Sequence, residues 1–340
     1  MKNRIKIIAV VTVGVVLFAG YAGYWFYVAG RLERGIDDWV ALQRQAGLTV
    51  DFERTPVSGF PFAFRSTFRK PHIAGAFAGR GFDWQGPDLD ARVSPFNLQA
   101  IDLRGPGRHE ADFGDGPIVL DAAGLEVRLA FAGNGLLSSI AVSWTEAKLA
   151  ARGGAFAAGA GSITLTMPAS PPQADGDPLL QFAASTKSLT LPKGRVVLTE
   201  DSLIDLQLAG QVKGMLPMAP LRQALASWRD AGGTVEIARF AETQATLSLS
   251  GSATIALDDN LQPIVAADVK ARGLAPTIDL LTSQHRIYPE DAQKMKLFVK
   301  GAERDAPGGY KEVATGLTLQ GGWLSWGPFK LVQVPPIEWP

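Results

Sequence analysis

The sequence predicts a mainly β protein with a few helices. Its strands form antiparallel meander sheets in an elongated or groove-like β-structure, preceded by one N-terminal transmembrane helix. Three observations predict this. The 24 residues from Ile7 to Gly30 carry no charge. Beyond Gly47, apolar residues recur with a period of two over short stretches. Glycine, at 37 of 340 residues, and 22 prolines punctuate the gaps between those stretches.

At about 1.5 Å per helical residue, the uncharged run is long enough for a hydrocarbon core of roughly 30 Å. Lys2, Arg4 and Lys6 precede it, whereas Arg31, Glu33, Arg34, Asp37 and Asp38 follow with mixed sign. The positive-inside rule then places the N-terminus in the cytoplasm and the bulk of the chain in the periplasm, a single-pass inner-membrane topology. Tyr21, Tyr24, Trp25 and Tyr27 gather near the far end, where amphipathic rings favour the headgroup zone. The competing reading is a cleaved signal peptide ending at the small residues Gly20 and Ala22. Cleavage there would leave Tyr24 to Val28 as an exposed apolar terminus, which an uncleaved anchor explains better.

Leu32, Ile36, Trp39 and Val40 continue at helical spacing until Gly47, a residue suited to a C-cap. Strands are then expected at 49–54, 91–93, 98–103, 125–131, 140–144 and 163–167. A second series is expected at 195–198, 203–212, 234–240, 246–257, 264–270, 313–319 and 329–332. Helices are expected at 220–230, 276–284 and 289–296, each with Pro near its first position. The Pro- and Asp-rich stretch 171–178 reads as a linker or long loop. It divides the chain into an anchor (1–30), an N-terminal β-rich half (31–170) and a C-terminal β-rich half (179–340). Leu-x-Leu-x-Gly recurs at 206–210, 247–251 and 317–321. Its irregular spacing fits half-buried strands ending in turns, or divergent hairpins lining one sheet, rather than a solenoid.

Composition removes several function classes. Lys+Arg and Asp+Glu balance at 33 each, which argues against a nucleic-acid partner. With 46% hydrophobic residues the chain is not disordered. Absence of cysteine eliminates disulfides, thiolate metal sites and Cys nucleophiles. His72, His109 and His285 stand alone, without metal-ligand spacing, and no nucleophile elbow or Walker loop is present. The acidic pairs Asp37/Asp38, Glu200/Asp201, Asp258/Asp259 and Glu290/Asp291 are expected in loops or helix starts, where they satisfy turn amides and the helix dipole. No catalytic residue, metal site or cofactor is therefore expected.

The most distinctive string is Gly59-Phe60-Pro61-Phe62-Ala63-Phe64-Arg65. Read as a strand, it sends Phe60, Phe62 and Phe64 to one side, with Pro61 restricting it to an edge or a strand start. Such a stripe either caps a core or floors a lipid-binding groove, since acyl chains need the same apolar surface. Arg65, Arg69, Lys70 and Arg80 follow, placed to meet headgroup phosphates or simply to solvate a strand face. The candidate lipid-binding residues are Phe60, Phe62, Phe64, Arg65 and Arg69. The second string, Trp228 to Ile237, is a helix ending on Gly232-Gly233 before a strand, with one of the two glycines as left-handed cap.

The anchor, the Gly59 to Phe64 string, the Trp228 to Ile237 connection, the strand Ser250 to Asp258 and the ending Gly327-Pro328-Phe329-Lys330-Leu331 together resemble the domain-of-unknown-function family 2125 of Gram-negative envelope proteins. More distantly, one anchor followed by a long β-rich region with Gly-Phe-Pro-Phe strings is similar to AsmA-like proteins. That likeness implies a role in outer-membrane homeostasis or lipid transfer along an open apolar β-groove. Neither resemblance supplies a catalytic motif. The expectation is a non-enzymatic, membrane-anchored periplasmic protein that binds lipid, such as phospholipid, on an apolar sheet face or assists envelope assembly. The alternative is a scaffold that binds other envelope proteins through an edge strand or loop without lipid. An open apolar trough would mark the first, a closed core the second.

Overall fold

The computed structural model describes residues 2–77, 80–170, 172–174, 176–192, 203–217, 219–306, 309–326 and 329–339. The expected strand 195–198 lies outside them. Helix α1 (Lys2–Gln45) runs unbroken through the apolar segment and the amphipathic stretch after it. Asp37 and Asp38 accordingly lie within this helix, not in a loop. Asp37 receives Arg54, and Arg44 binds both the Val50 carbonyl and Asp51, so the exposed part of α1 is clasped to the first strand.

The strands are β1 (Thr49–Arg54), β2 (Phe64–Phe77), β3 (Arg80–Gln85), β4 (Leu89–Ser94), β5 (Asn97–Arg104), β6 (Gly107–Asp112), β7 (Pro117–Ala123), β8 (Glu126–Phe131), β9 (Leu137–Trp144), β10 (Glu146–Ala151), β11 (Gly154–Ala158), β12 (Gly161–Thr166) and β13 (Pro178–Leu189). There follow β14 (Ile204–Lys213), helix α2 (Leu221–Asp230), β15 (Thr234–Gln244), β16 (Leu247–Leu257), β17 (Pro263–Arg272), helices α3 (Leu274–Ser283) and α4 (Pro289–Ala302), β18 (Arg304–Ala306), β19 (Tyr310–Gln320), β20 (Trp323–Trp326) and β21 (Phe329–Gln333). Among the described residues, these 21 strands belong to one open antiparallel sheet.

Its connectivity is simpler than the number of strands suggests. In the N-terminal half successive strands such as β7 and β8 are two arms of one segment, interrupted by one to three residues. The register shows this. Ala123 of β7 faces Glu146 of β10 and Glu126 of β8 faces Ser143 of β9, so segments 117–131 and 137–151 pair in a single frame on both sides of the interruption. The same holds for 137–151 with 154–166, where Ala147 faces Ala158 and Trp144 faces Gly161. The N-terminal half is thus a meander of long strands, each bent near its middle. The bends align at Lys70–Pro71, Gly86–Asp88, Gly105–Pro106, Gly124–Leu125, Thr145 and Gly159–Ala160. Backbone bonds such as Gly105 N–H to Leu125 O (3.1 Å) and Gly159 N–H to Lys187 O (2.8 Å) stitch this line together.

The bend is sharp. His109 hydrogen-bonds the Gly105 carbonyl at 2.7 Å, although four residues of straight strand span about 13 Å. A side chain at position 105 would sit 2.4 Å from Leu89 and 3.4 Å from His109, so only glycine permits the two arms to close that far. Linker 171–178 joins β12 to β13, which pair directly from Gly161–Thr186 to Thr166–Gln181, and the sheet continues through it.

Beyond β13 the strands β14 to β17 run without an interruption of this kind, although β15 carries irregularities in register near Ile237 to Phe240. Helix α2 ends on Gly232, whose φ of 75° is the left-handed cap, and its Trp228 indole donates to the Lys213 carbonyl at 2.7 Å. Buried apolar residues form two clusters toward opposite ends of the ribbon, with others such as Ala122, Ile204 and Trp228 buried singly between them. One joins Trp25, Val28 and Ala29 of α1 to Phe64 and Val93. The other joins Ile278 of α3 and Ala292 and Val299 of α4 to Val313 of β19.

Candidate functional site

Alternation along every strand, combined with the register, builds one feature that spans the ribbon. Starting from Phe64, successive cross-strand partners are Val93, Ile101, Leu129, Ile140, Leu165 and Phe182. The row continues through Gly210, Ile237, Ala253, Ala267, Leu317 and Trp326. No polar side chain interrupts it. At a strand spacing of about 4.8 Å, it runs roughly 58 Å along the sheet. The Leu-x-Leu-x-Gly strings add Leu206 and Leu208, Leu247 and Leu249, and Leu317 and Leu319 to the same face, which accounts for their recurrence.

The opposite face is polar. One of its rows reads Thr67, Asp90, Arg104, Glu126, Ser143, Ser162, Ser185 and Gln207. Ion pairs and hydrogen bonds bind neighbours within it: Thr67 to Asp90 (2.7 Å), Arg104 to Glu126 (3.0 Å), Ser162 to Ser185 (3.2 Å). In the adjacent row Arg128 donates two hydrogen bonds to Asp102. These bonds, with the charges of Arg92 and Arg104 nearby, hold the Asp102 carboxyl below its usual range.

In the bent half both arms turn their apolar faces inward. Leu89 of one arm and His109 of the other converge on Gly105, and His109 stacks on Trp84. Beyond the corner, His109 aligns with Leu120, Leu149 and Phe156. The cross-section is a two-walled trough with an apolar lining. Between the end clusters the lining is open: Leu129, Ile140, Leu165, Phe182 and Ile237 are only half-buried, and Ile163 is 41% exposed.

The five residues singled out in the sequence divide among three settings. Phe64 begins β2, is 2% exposed and stacks on Trp25 at 4.9 Å, placing it in the lining at the anchored end. Phe60 does not belong to a strand; residues 60–62 form a turn, with a cis Phe60–Pro61 peptide, before β2 begins. The shared strand face expected for the three phenylalanines is therefore not formed, because Pro61 diverts the backbone into a turn. Phe60 packs against Phe18, Tyr21, Trp25 and Phe26 of α1, whereas Phe62 is 75% exposed. Arg65 and Arg69 are exposed on the polar face, Arg65 opposite Arg92 and Arg69 opposite Glu53.

A family model described as an uncharacterized protein conserved in bacteria (DUF2125) matches residues 25–335. The chain belongs to the DUF2125 family. The DUF2125 span begins at Trp25, the α1 residue stacked on Phe64, and takes in the whole ribbon through β21. No curated protein and no solved structure matches the chain.

The three histidines of this DUF2125 chain stand in separate settings. His72 meets Asp83 at 3.2 Å on the polar side, His109 is buried in the corner, and His285 lies in the turn after α3. Among the described residues no group of three His, Asp or Glu is arranged to hold a metal ion. Asp258 accepts turn amides from Asn260 and Gln262, and Glu290 and Asp291 occupy the first turn of α4, as their positions in the sequence suggest. Sequence reasoning missed the continuous lining and the α1 partners of Phe60 and Phe64. Alternation was visible within strands such as β8, β12 and β16, but the register that joins the strands was not.

Proposed function

We propose that this chain is a single-pass, membrane-anchored envelope protein of the periplasm that accommodates lipid acyl chains along the apolar face of its bent sheet. The observation that carries the reading is the unbroken row from Phe64 to Trp326, capped at its ends and half-open between them. A structural core of this size would bury its middle; here the buried clusters lie at the ends, and single buried residues such as Ala122 and Ile204 lie between them. Half of a bilayer core is about 15 Å deep, so a lining of roughly 58 Å exceeds the length of one acyl chain several-fold. The apolar helix α1, long enough to span a membrane, packs on the first strands of the lining, so the bilayer and the trough adjoin. The charges of Lys2, Arg4 and Lys6 favour a cytoplasmic N-terminus. The distant likeness to AsmA-like proteins agrees with this plan, and no catalytic group is required.

Site-specific photocrosslinking in cells tests the reading. A photoreactive residue at Leu165, on the lining, should capture phospholipid, and one at Thr164, its neighbour on the polar face, should not. Equal labelling at both positions, or none at Leu165, defeats it. The scaffold reading draws on a different feature, the outer edge of β21, whose described pairing is with β20 alone. Capture of protein rather than lipid, localised to that edge, would favour it.

A further inference from the structure

Two turns stand beside α1: residues 59–62 and 94–97. Neither carries charge. No Asp, Glu, Lys or Arg occurs from Thr55 to Phe64, or from Val93 to Ile101. Both turns are fastened to the helix at one level. The Tyr21 hydroxyl donates to the Pro61 carbonyl, and the Tyr24 hydroxyl donates to the Pro95 carbonyl at 3.1 Å. The Tyr21 ring lies between the two turns, 6.2 Å from Phe60 and stacked on Phe96 at 6.1 Å.

The outward side of this assembly is apolar. Phe62 and Phe96 are 75% and 77% exposed, and Leu98 is also exposed. Immediately before it on α1, Val11 to Phe18 present an exposed apolar surface suited to lipid. Phe18 and Phe26 contact Phe60 from either side, at 5.9 and 5.8 Å, so the turns lie against the second half of the uncharged run, about one helical turn either side of Tyr21. Uncharged aromatic tips beside the far half of an apolar helix suit the headgroup boundary, the zone that aromatic side chains favour.

We infer that the turns 59–62 and 94–97 are a membrane-docking surface: Phe62 and Phe96 enter the interface of the bilayer that α1 crosses and seat the anchored end of the trough on it. Tyr21 and Tyr24 set the depth by holding both turns to the helix. This inference rests on the reading of α1 as a membrane span and does not require lipid in the trough.

The natural absence of cysteine makes the test direct, because any introduced thiol is unique. Single variants Leu17→Cys, Phe62→Cys, Phe96→Cys and Lys300→Cys of the full chain are labelled with an environment-sensitive fluorophore. They are then reconstituted into vesicles of phosphatidylethanolamine and phosphatidylglycerol containing spin-labelled lipids. The labels at positions 62 and 96 should be quenched several-fold more than that at 300, and best by spin labels near the headgroup; the label at 17 should respond best to deep ones. If 62 and 96 behave like 300 while 17 is quenched, the docking surface is refuted and the anchor stands. If 17 is not quenched, the span itself is wrong and the docking surface falls with it.

Discussion

Trp25 of the long helix stacks on Phe64, the first residue of β2, with 4.9 Å between ring centroids and 25° between planes. Through this pair the apolar helix and the apolar lining share one buried cluster, so the sheet does not hang from a free tether. The orientation of the trough relative to the helix is fixed by packing.

Phe64→Ala is expected to cost about 3–5 kcal/mol, the usual penalty for removing a buried aromatic ring. Phe62→Ala should cost less than about 0.5 kcal/mol, because that ring is exposed. Thermal unfolding of the full chain in detergent, followed by tryptophan fluorescence, separates the two. Comparable losses would mean that Phe62 is buried in solution.

Fusions to the C-terminus address topology. Alkaline phosphatase, active only after export, should be active there, and a reporter that requires the cytoplasm should not. The reverse pattern would turn the protein around and remove the envelope setting.

Leu165→Asp places a charge in the middle of the lining at a half-open position. The variant should remain folded, with a melting temperature within a few degrees of the parent, and lose most phospholipid crosslinking at a neighbouring lining site. Thr164→Asp, on the polar face, should leave crosslinking unchanged. Unfolding of the Leu165 variant would instead indicate a closed core.

Acid should weaken the polar face in a defined direction. Arg128 lowers the Asp102 pKa in the folded state. The stabilisation is then fully present above the unfolded value of about 4 and is lost as pH falls through the lower folded value. The stability difference between the parent chain and Asp102→Asn should be constant above about pH 5 and shrink below about pH 4. Its size should be under about 1 kcal/mol, because solvent screens an exposed pair. A difference that grows in acid would contradict this assignment.

His109→Gln should cost about 1–3 kcal/mol through loss of the buried bond to Gly105. His72→Gln and His285→Asn should each cost under about 0.5 kcal/mol, asparagine being suited to the left-handed backbone at 285. All three should complement a deletion strain when their amounts match the parent. Failure of a stable His72 or His285 variant would reopen histidine chemistry.

Much of the fold was legible because alternation is local. Thr49–Arg54 coincides with β1, and 246–257 and 264–270 fall on β16 and β17. Helices at 220–230 and 289–296 began where proline at the N-terminus indicated, although α4 extends to Ala302. What escaped were strands with weak apolar contrast, such as β10 and β11, built largely of alanine, and β2, whose Pro71 and Gly75 mask its length. The glycines at the bends read equally well as ends of strands, which is why only 98–103 of the segment 97–112 was expected as a strand. The candidate site suffered most. Whether Phe60 meets Trp25 or Phe62 is decided by contacts between distant parts of the chain, and no periodicity encodes them.

The aligned bends have a consequence for how such a molecule can vary. Every long segment of the N-terminal half contributes one arm to each wall, and neighbouring segments are joined by ordinary hairpins. Inserting or deleting a whole hairpin would leave the profile of the trough intact and change only its extent, by about 4.8 Å per strand. Reach and cross-section are therefore separately adjustable in this architecture, the first by repetition and the second by the angle of the bend.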